Sequence, residues 1–240
     1  MPAHTGYLHK IFYMEDWAIG IDLGGTKIEA ALVDTNGNIH DRQRIDTQST
    51  LGYDGIFSHL ANIINTICDQ NKDKQPAAIG MGVAGQIEKN TGLIKYAPNL
   101  QWRNVPLQND LSKKLNKPVF ICNDVRAATI GEWSFGAGKN CDDIVCIFIG
   151  TGIGSGIVSA GKILEGNNNT AGEIGHITID VHGPECHCGN IGCFEALAGG
   201  WAIARDLKKA VKIIKKPEKY YYQSLIMILI NFLLKHWKKD

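Results

Sequence analysis

Apolar residues follow two rhythms along this chain. In "WAIGIDLGGTKIEAALVD" (17–34), two apolar stretches flank Gly24-Gly25 and predict a β-hairpin. In "DGIFSHLANIINTICDQ" (54–70), Ile56, Phe57, Leu60, Ile63, Ile64 and Ile67 recur at helical spacing. The small-residue run "AAIGMGVAG" (77–85) predicts a short strand entering a turn. "LQNDLSKKLN" predicts a helix, and Pro118 opens a strand, "VFICND". "VRAATIGEWSFGAG" predicts a helix that stops at glycine. "DIVCIFIGTGIGSGIVSAGKILEG" (143–166) predicts a strand, a glycine-rich turn and a second strand. Strands alternating with helices indicate an α/β architecture. Two glycine turns each follow an apolar strand, and that duplication is the informative part.

Composition narrows the class. A chain of 240 residues with 44% apolar and 20% charged residues suits one large globular domain or two modest ones. A formal net charge of +1 gives no general attraction to nucleic acid or to an anionic membrane. The first residues, "MPAHTGYLHKIFYMEDW", lack the apolar core and cleavage site of a secretion signal. The seven cysteines are therefore expected in the cytoplasm, where closely set thiols bind metal or stay reduced. Beyond Gly200 there are no glycines, and from Lys208 onward nine lysines accompany only Glu218 and Asp240. The apolar run "LIMILINFLL" (225–234) is shorter than the roughly 20 residues needed to span a bilayer. It reads as a buried helix, an interfacial helix or non-native sequence.

"DLGGT" (22–26) and "GTGIGSG" (150–156) let backbone N–H groups converge on anionic oxygens. Either turn alone is more simply a plain hairpin; together, with Asp22 before the first, they point toward a nucleotide. Asp22 could hold Mg²⁺ through water, and Lys27 could approach a phosphate as a point charge. Neither turn is a P-loop, and the second runs into a strand where a dinucleotide fingerprint would open a helix. Asn123-Asp124 ends the strand "VFICND", where α/β proteins collect ligands. Asp124 there could act as a general base; on local sequence alone, it reads first as a helix N-cap.

"GPECHCGNIGCFE" (183–195) places Cys186, Cys188 and Cys193 within eight positions. With His176 they form a Cys₃His set of the structural zinc type, with no open position for a reacting water. A Cys186–Cys188 disulfide would be strained, and a redox pair would read Cys-x-x-Cys. His182 and His187 are rival ligands ranked below His176. A metal at this loop would tie "AGEIGH" (171–176) to "CFE" (193–195) and hold Glu173 near Glu195, as carboxylates that grip sugar hydroxyls are held.

"GIDLGGTK", "NDVRAATIGE", "GTGIGSG" and "AGEIGHITI…CHCGNIGCFE", in this order, resemble the ROK family of sugar kinases and repressors over about residues 17–205. The overall pattern is similar to ATP-dependent glucokinases. The resemblance implies an actin-like (ribonuclease H-like), two-lobed sugar kinase fold, incomplete at its C-terminal end. Its expected parts are an N-terminal extension (1–16), a small lobe (17–122), part of a large lobe (123–212) and an atypical tail (213–240). It implies transfer of phosphate from ATP to the 6-hydroxyl of a hexose, glucose above N-acetylmannosamine or fructose, with Asp124 as catalytic base. It further implies sugar contacts from Gly85, Asn99, Asn123, Asp124, Glu173, His176 and Glu195. The nucleotide would meet Asp22, Gly24, Gly25, Thr26 and Lys27, and Gly150, Thr151, Gly152 and Gly154. The implied cofactors are Mg²⁺ with ATP and a structural Zn²⁺ on His176, Cys186, Cys188 and Cys193. The implied partners are hexose and ATP, with neither nucleic acid nor membrane, and a homodimer is frequent in the family.

Three departures stand out. Arg126 occupies a position where the family often has asparagine. The residues before Met14 have no family counterpart, which makes Met14 an alternative start. The lysine-rich end does not look like the family's continuation, and a truncation or frameshift near residue 212, leaving a sugar-binding remnant, is one expectation. Only about 20 residues precede the first glycine turn, too few for the family repressors' helix-turn-helix domain.

Overall fold

The computed structural model describes residues 17–214, with side chains to residue 211. The extension 1–16 and the apolar run 225–234 lie outside the described residues. The described chain divides between two compact units, residues up to 148 with 154–174, and residues 149–153 with those from 175 onward.

The first unit is built on a five-stranded sheet. Strands β1 (Trp17–Leu23) and β2 (Lys27–Asp34) form the expected antiparallel hairpin, with Asp22 opposite Glu29. Alternation buries Ile19, Ile21 and Leu23 on β1 and Ile28, Ala30 and Leu32 on β2, as a half-buried strand requires. Strand β3 (Ile39–Asp46) follows, then helix α1 (Gly52–Gln70), which buries Ile56, Leu60, Ala61, Ile63, Ile64 and Ile67. Strand β4 (Ala78–Val83) pairs parallel with β1. Strands β5 (Gln86–Ile87), β6 (Ile94–Ala97) and β7 (Trp102–Val105) form a separate small sheet. Helix α2 (Leu107–Leu115) then leads to β8 (Val119–Asn123), parallel to β4, and to helix α3 (Asp124–Ser134). The main sheet has the order β3-β2-β1-β4-β8.

That order positions the site. Strands β1, β4 and β8 run parallel, and their register sets Leu23 beside Val83 and Val83 beside Asn123. Their carboxyl ends share one edge, where ligands of open α/β sheets collect. The core beneath holds Leu23, Ile79 and Val83, each at 0% exposure; truncating Ile79 to alanine would cost roughly 2–5 kcal/mol.

Strand β3 was not expected. Its sequence, "IHDRQRID", is polar because it is the outer strand, and charged residues keep such an edge from pairing with other chains. It is held to β2 by ion pairs to Glu29, from which Arg42 lies 2.7 Å and Arg44 3.7 Å; within β2 itself, Lys27 lies 2.9 Å from the same carboxylate. Hydrogen bonds from Arg42, then Lys27, draw the Glu29 carboxyl down to about 2.

Strands β9 (Ile144–Ile149), β10 (Ile153–Ser159) and β11 (Lys162–Ile163) form a third sheet, ordered β11-β10-β9. Its edge strand β9 exposes Val145, Ile147 and Ile149. The second unit adds helices α4 (Phe194–Ala198) and α5 (Gly200–Ile214). The first unit runs on past residue 122, since β8 pairs with β4 and α3 packs on β4. Among the described residues, no helix is long and apolar enough to cross a membrane.

Candidate active site

The first glycine turn is closed by Gly24 N–H donating to Lys27 O at 3.0 Å. Thr47, wholly buried and directly after β3, braces it: its hydroxyl donates to Gly24 O (2.7 Å) and its N–H to Thr26 O (2.9 Å). Thr47 went unnoticed in the sequence because 23 residues separate it from Gly24. Gly25 lies against Asn99, such that a Cβ at Gly25 would come within 2.9 Å of the Asn99 Cβ. Asn99 is itself exposed, on a short 3₁₀ turn after β6.

Asn123 and Asp124 divide two tasks between them. Asn123 is the N-cap of α3, its Oδ1 accepting from Arg126 N–H at 3.1 Å. Its Nδ2 donates to Asp124 Oδ1 (3.0 Å) and to Gly85 O (3.3 Å). The cap that local sequence had assigned to Asp124 thus falls to its neighbour, leaving the Asp124 carboxylate at the shared strand edge. Asp22 stands in register with Gly82, whose missing side chain lets the start of α3 approach: a Cβ there would lie 3.2 Å from the Asp124 Cα. Although Asp22 is open on one side, partial desolvation and then the Asp124 charge push its carboxyl above the usual range, with Lys27 offsetting part. Two carboxylates that feel each other beside a phosphate-type turn are a natural seat for a cation. Lys27 Nζ is engaged with Glu29 and would have to leave it to meet a phosphate.

Arg126, the departure noted in the sequence, is 7% exposed and has no carboxylate at ion-pair distance among the described residues. Its guanidinium donates to the Asn169 side-chain oxygen and, at 3.1 Å, to Asn169 O. Asn169 in turn donates from Nδ2 to Ile87 O at 2.8 Å. Charge-assisted bonds of this kind compensate a buried cation in part, and here they pin the segment before Glu173. Glu173 is exposed and belongs to the first unit.

In the second unit, His176, Cys186, Cys188 and Cys193 come together, their ligand atoms all within 4.8 Å of one another. Cys186 Sγ is 3.7 Å from His176 Nδ1, and Cys188 Sγ is 3.7 Å from Cys193 Sγ. Ligands at about 2.1–2.3 Å around a tetrahedral zinc would stand roughly 3.5–3.8 Å apart, so the donor set fits that ion. Burial pushes the Cys193 thiol up to about 12, a cost that a bound cation would offset. All seven cysteines are unpaired. Because Nδ1 faces the thiols, Nε2 of His176 is left for another partner. His187, one rival ligand, stacks instead on Trp201 with ring centroids 4.1 Å apart.

Residues 150–153 of the second glycine turn also lie in this unit and are contacted by the segment that follows Cys193. Glu195 Oε2 accepts from Ile153 N–H (2.8 Å), and Oε1 accepts from Trp201 Nε1–H (3.2 Å). Gly150 O accepts from Gly200 N–H and Thr151 O from Trp201 N–H, both at 3.0 Å. Trp201 and the glycines before it were not singled out in the sequence, since nothing local links them to a turn some 50 residues earlier.

A model of the ROK family matches residues 18–231. The chain belongs to the ROK family. Its match continues past residue 205, into the lysine-rich stretch. A glucokinase of Halalkalibacterium halodurans is 41% identical over 84% of this chain and 62% of its own length. A xylose repressor of Bacillus subtilis is 34% identical over 88% of this chain and 53% of its own. The solved ROK glucokinase of Streptomyces griseus, in complex with glucose and AMPPNP, is 36% identical, with a TM-score of 0.68, over 82% of this chain and 62% of that one. The fold of this ROK chain is therefore the actin-like sugar kinase fold. The chain spans about 60% of the length of the glucokinases it matches.

Proposed function

We propose that this ROK chain carries the site for ATP-dependent phosphorylation of a hexose at its 6-hydroxyl, with glucose as the foremost substrate. The observation that carries this reading is the arrangement around Asp124. Asn123 takes the helix cap, and the freed carboxylate stands at one sheet edge with Asp22, beside the first glycine turn and Asn99.

In this reading Asp124 accepts the proton from the attacking hydroxyl, and Asn123 holds Asp124 through Nδ2 while staying within reach of the sugar. Gly85 keeps the backbone low on the sugar side, since a Cβ there would meet Tyr96 O at 2.5 Å. Asn99, Glu173, His176 through Nε2, and Glu195 supply further partners for sugar hydroxyls. Phosphates meet the first turn at Gly24, Gly25, Thr26 and Lys27, where the Gly24 N–H is itself bound to Lys27 O, and the second turn at Gly150, Thr151, Gly152 and Gly154, where the Gly150 N–H is bound to Gly152 O. Asp22 would hold Mg²⁺ through water, and the ion would offset negative charge on the transferred group. Zinc on the Cys₃His set would give shape alone. The reading includes a cytoplasmic location, where the unpaired thiols stay reduced, and a homodimer.

A coupled assay for ADP release, with glucose and with N-acetylmannosamine, tests it. Turnover with glucose supports the proposal, and absence of turnover with any hexose in folded protein contradicts it. Sugar-dependent but not nucleotide-dependent thermal stabilisation would identify a sugar-binding protein without phosphotransfer.

A further inference from the structure

Glu195 was expected to face a sugar, yet both of its carboxylate oxygens are turned toward donors of its own unit. One accepts from the Ile153 amide at 2.8 Å and the other from the Trp201 indole at 3.2 Å. Gly152 makes room for this, since a Cβ there would collide with Oε2. The same short stretch, 195–201, also fixes the Gly150 and Thr151 carbonyls through the amides of Gly200 and Trp201. Carbonyls and Ile153 are thereby held, while the N–H groups of Thr151 and Gly152 have no acceptor among the described residues. Converging N–H groups left open in this way form a nest for an anionic oxygen.

We infer that Glu195 is the positioning residue of the second phosphate turn, holding its backbone so that the open amides face a phosphate. A carboxylate has about four acceptor positions, so this role leaves room for a sugar hydroxyl as a further partner. The linkage gives the cysteine loop a second consequence. Cys193 is the N-cap of the helix that carries Glu195, so whatever fixes Cys193 also fixes the turn. The inference rests on the phosphotransfer reading for the nature of the anion, but not for the clamp itself.

Glu195→Gln preserves size but leaves one carbonyl oxygen where two acceptors served two donors. In protein without ligand, the Ile153 amide is expected to exchange hydrogen about tenfold faster or more than in wild type, as loss of a charge-assisted bond predicts. The dissociation constant for Mg-ATP is expected to rise by a similar factor, with that for glucose rising less. Trp201→Phe, which deletes only the indole donor, should move both quantities in the same direction by a smaller factor. Unchanged Ile153 exchange in both variants overturns the inference, as does loss of glucose binding with Mg-ATP binding intact. Faster exchange with no Mg-ATP binding even in wild type upholds the clamp and sinks the phosphotransfer reading.

Discussion

Replacing Gly82 by alanine puts one methyl group between β4 and the start of α3. It would lie 3.2 Å from the Ala127 Cβ and 3.2 Å from the Asp124 Cα. Carbon atoms prefer about 3.5–4.0 Å, so the first turn of α3 must retreat by about half an ångström. Overpacking of this kind costs about 1–3 kcal/mol, offset by about 0.4–1 kcal/mol from the stiffer unfolded chain, for a net loss of about 1–2 kcal/mol. The larger effect falls on chemistry. A 1 Å misplacement can cost about 100-fold in rate, so half of that displacement should lower kcat about tenfold, with KM for glucose nearly unchanged. Gly80→Ala is the internal control: it lies on the same strand and face, and its added methyl meets nothing within 4 Å. Urea unfolding and the coupled kinase assay on both variants read the two effects separately. Full kcat in folded Gly82→Ala, or an equal loss in Gly80→Ala, would refute the placement of Asp124 as the base.

Asp22→Asn should raise the melting temperature while abolishing phosphate transfer, because it removes a charge that desolvation and Asp124 both disfavour. The raised folded-state value means that the native protein holds more protons than the unfolded chain across the window between the two values. Wild type therefore loses stability as pH rises through that window, and the variant's advantage should grow with it. Melting curves from pH 4 to 8 check this, and an advantage independent of pH would contradict it. Elemental analysis should find one zinc per chain, and Cys193→Ser or a strong chelator should lower the melting temperature by at least about 5 °C. Zinc-free folded protein of undiminished stability would remove the metal from the fold.

Much of the first unit was legible in apolar spacing. The β1–β2 hairpin, helix α1, strands β4 and β8 and their helices all follow from which side chains must be hidden. Strand β3 was hidden by its charges, which suit an edge. Strands β5 to β7 are two to four residues long, too short for a period to register, and the last is distorted at Asn104, with φ of 53°. Glycine turns and clustered thiols announce themselves locally, so the candidate site was visible in outline. Its braces were not: Thr47 under the first turn, Arg126 on Asn169 and Glu195 on Ile153 are long-range pairings of ordinary polar residues. The contest over which residue caps α3 could be decided only by geometry, because Asn and Asp serve equally well there.

Phosphate transfer from ATP to glucose, measured on wild type and on Asp124→Asn, bears most directly on the role given to that aspartate. Wild type is expected to form glucose 6-phosphate. The variant should bind glucose within a few-fold of wild type but transfer phosphate at least about 100-fold more slowly. Equal rates in the two proteins would contradict Asp124 as the proton acceptor.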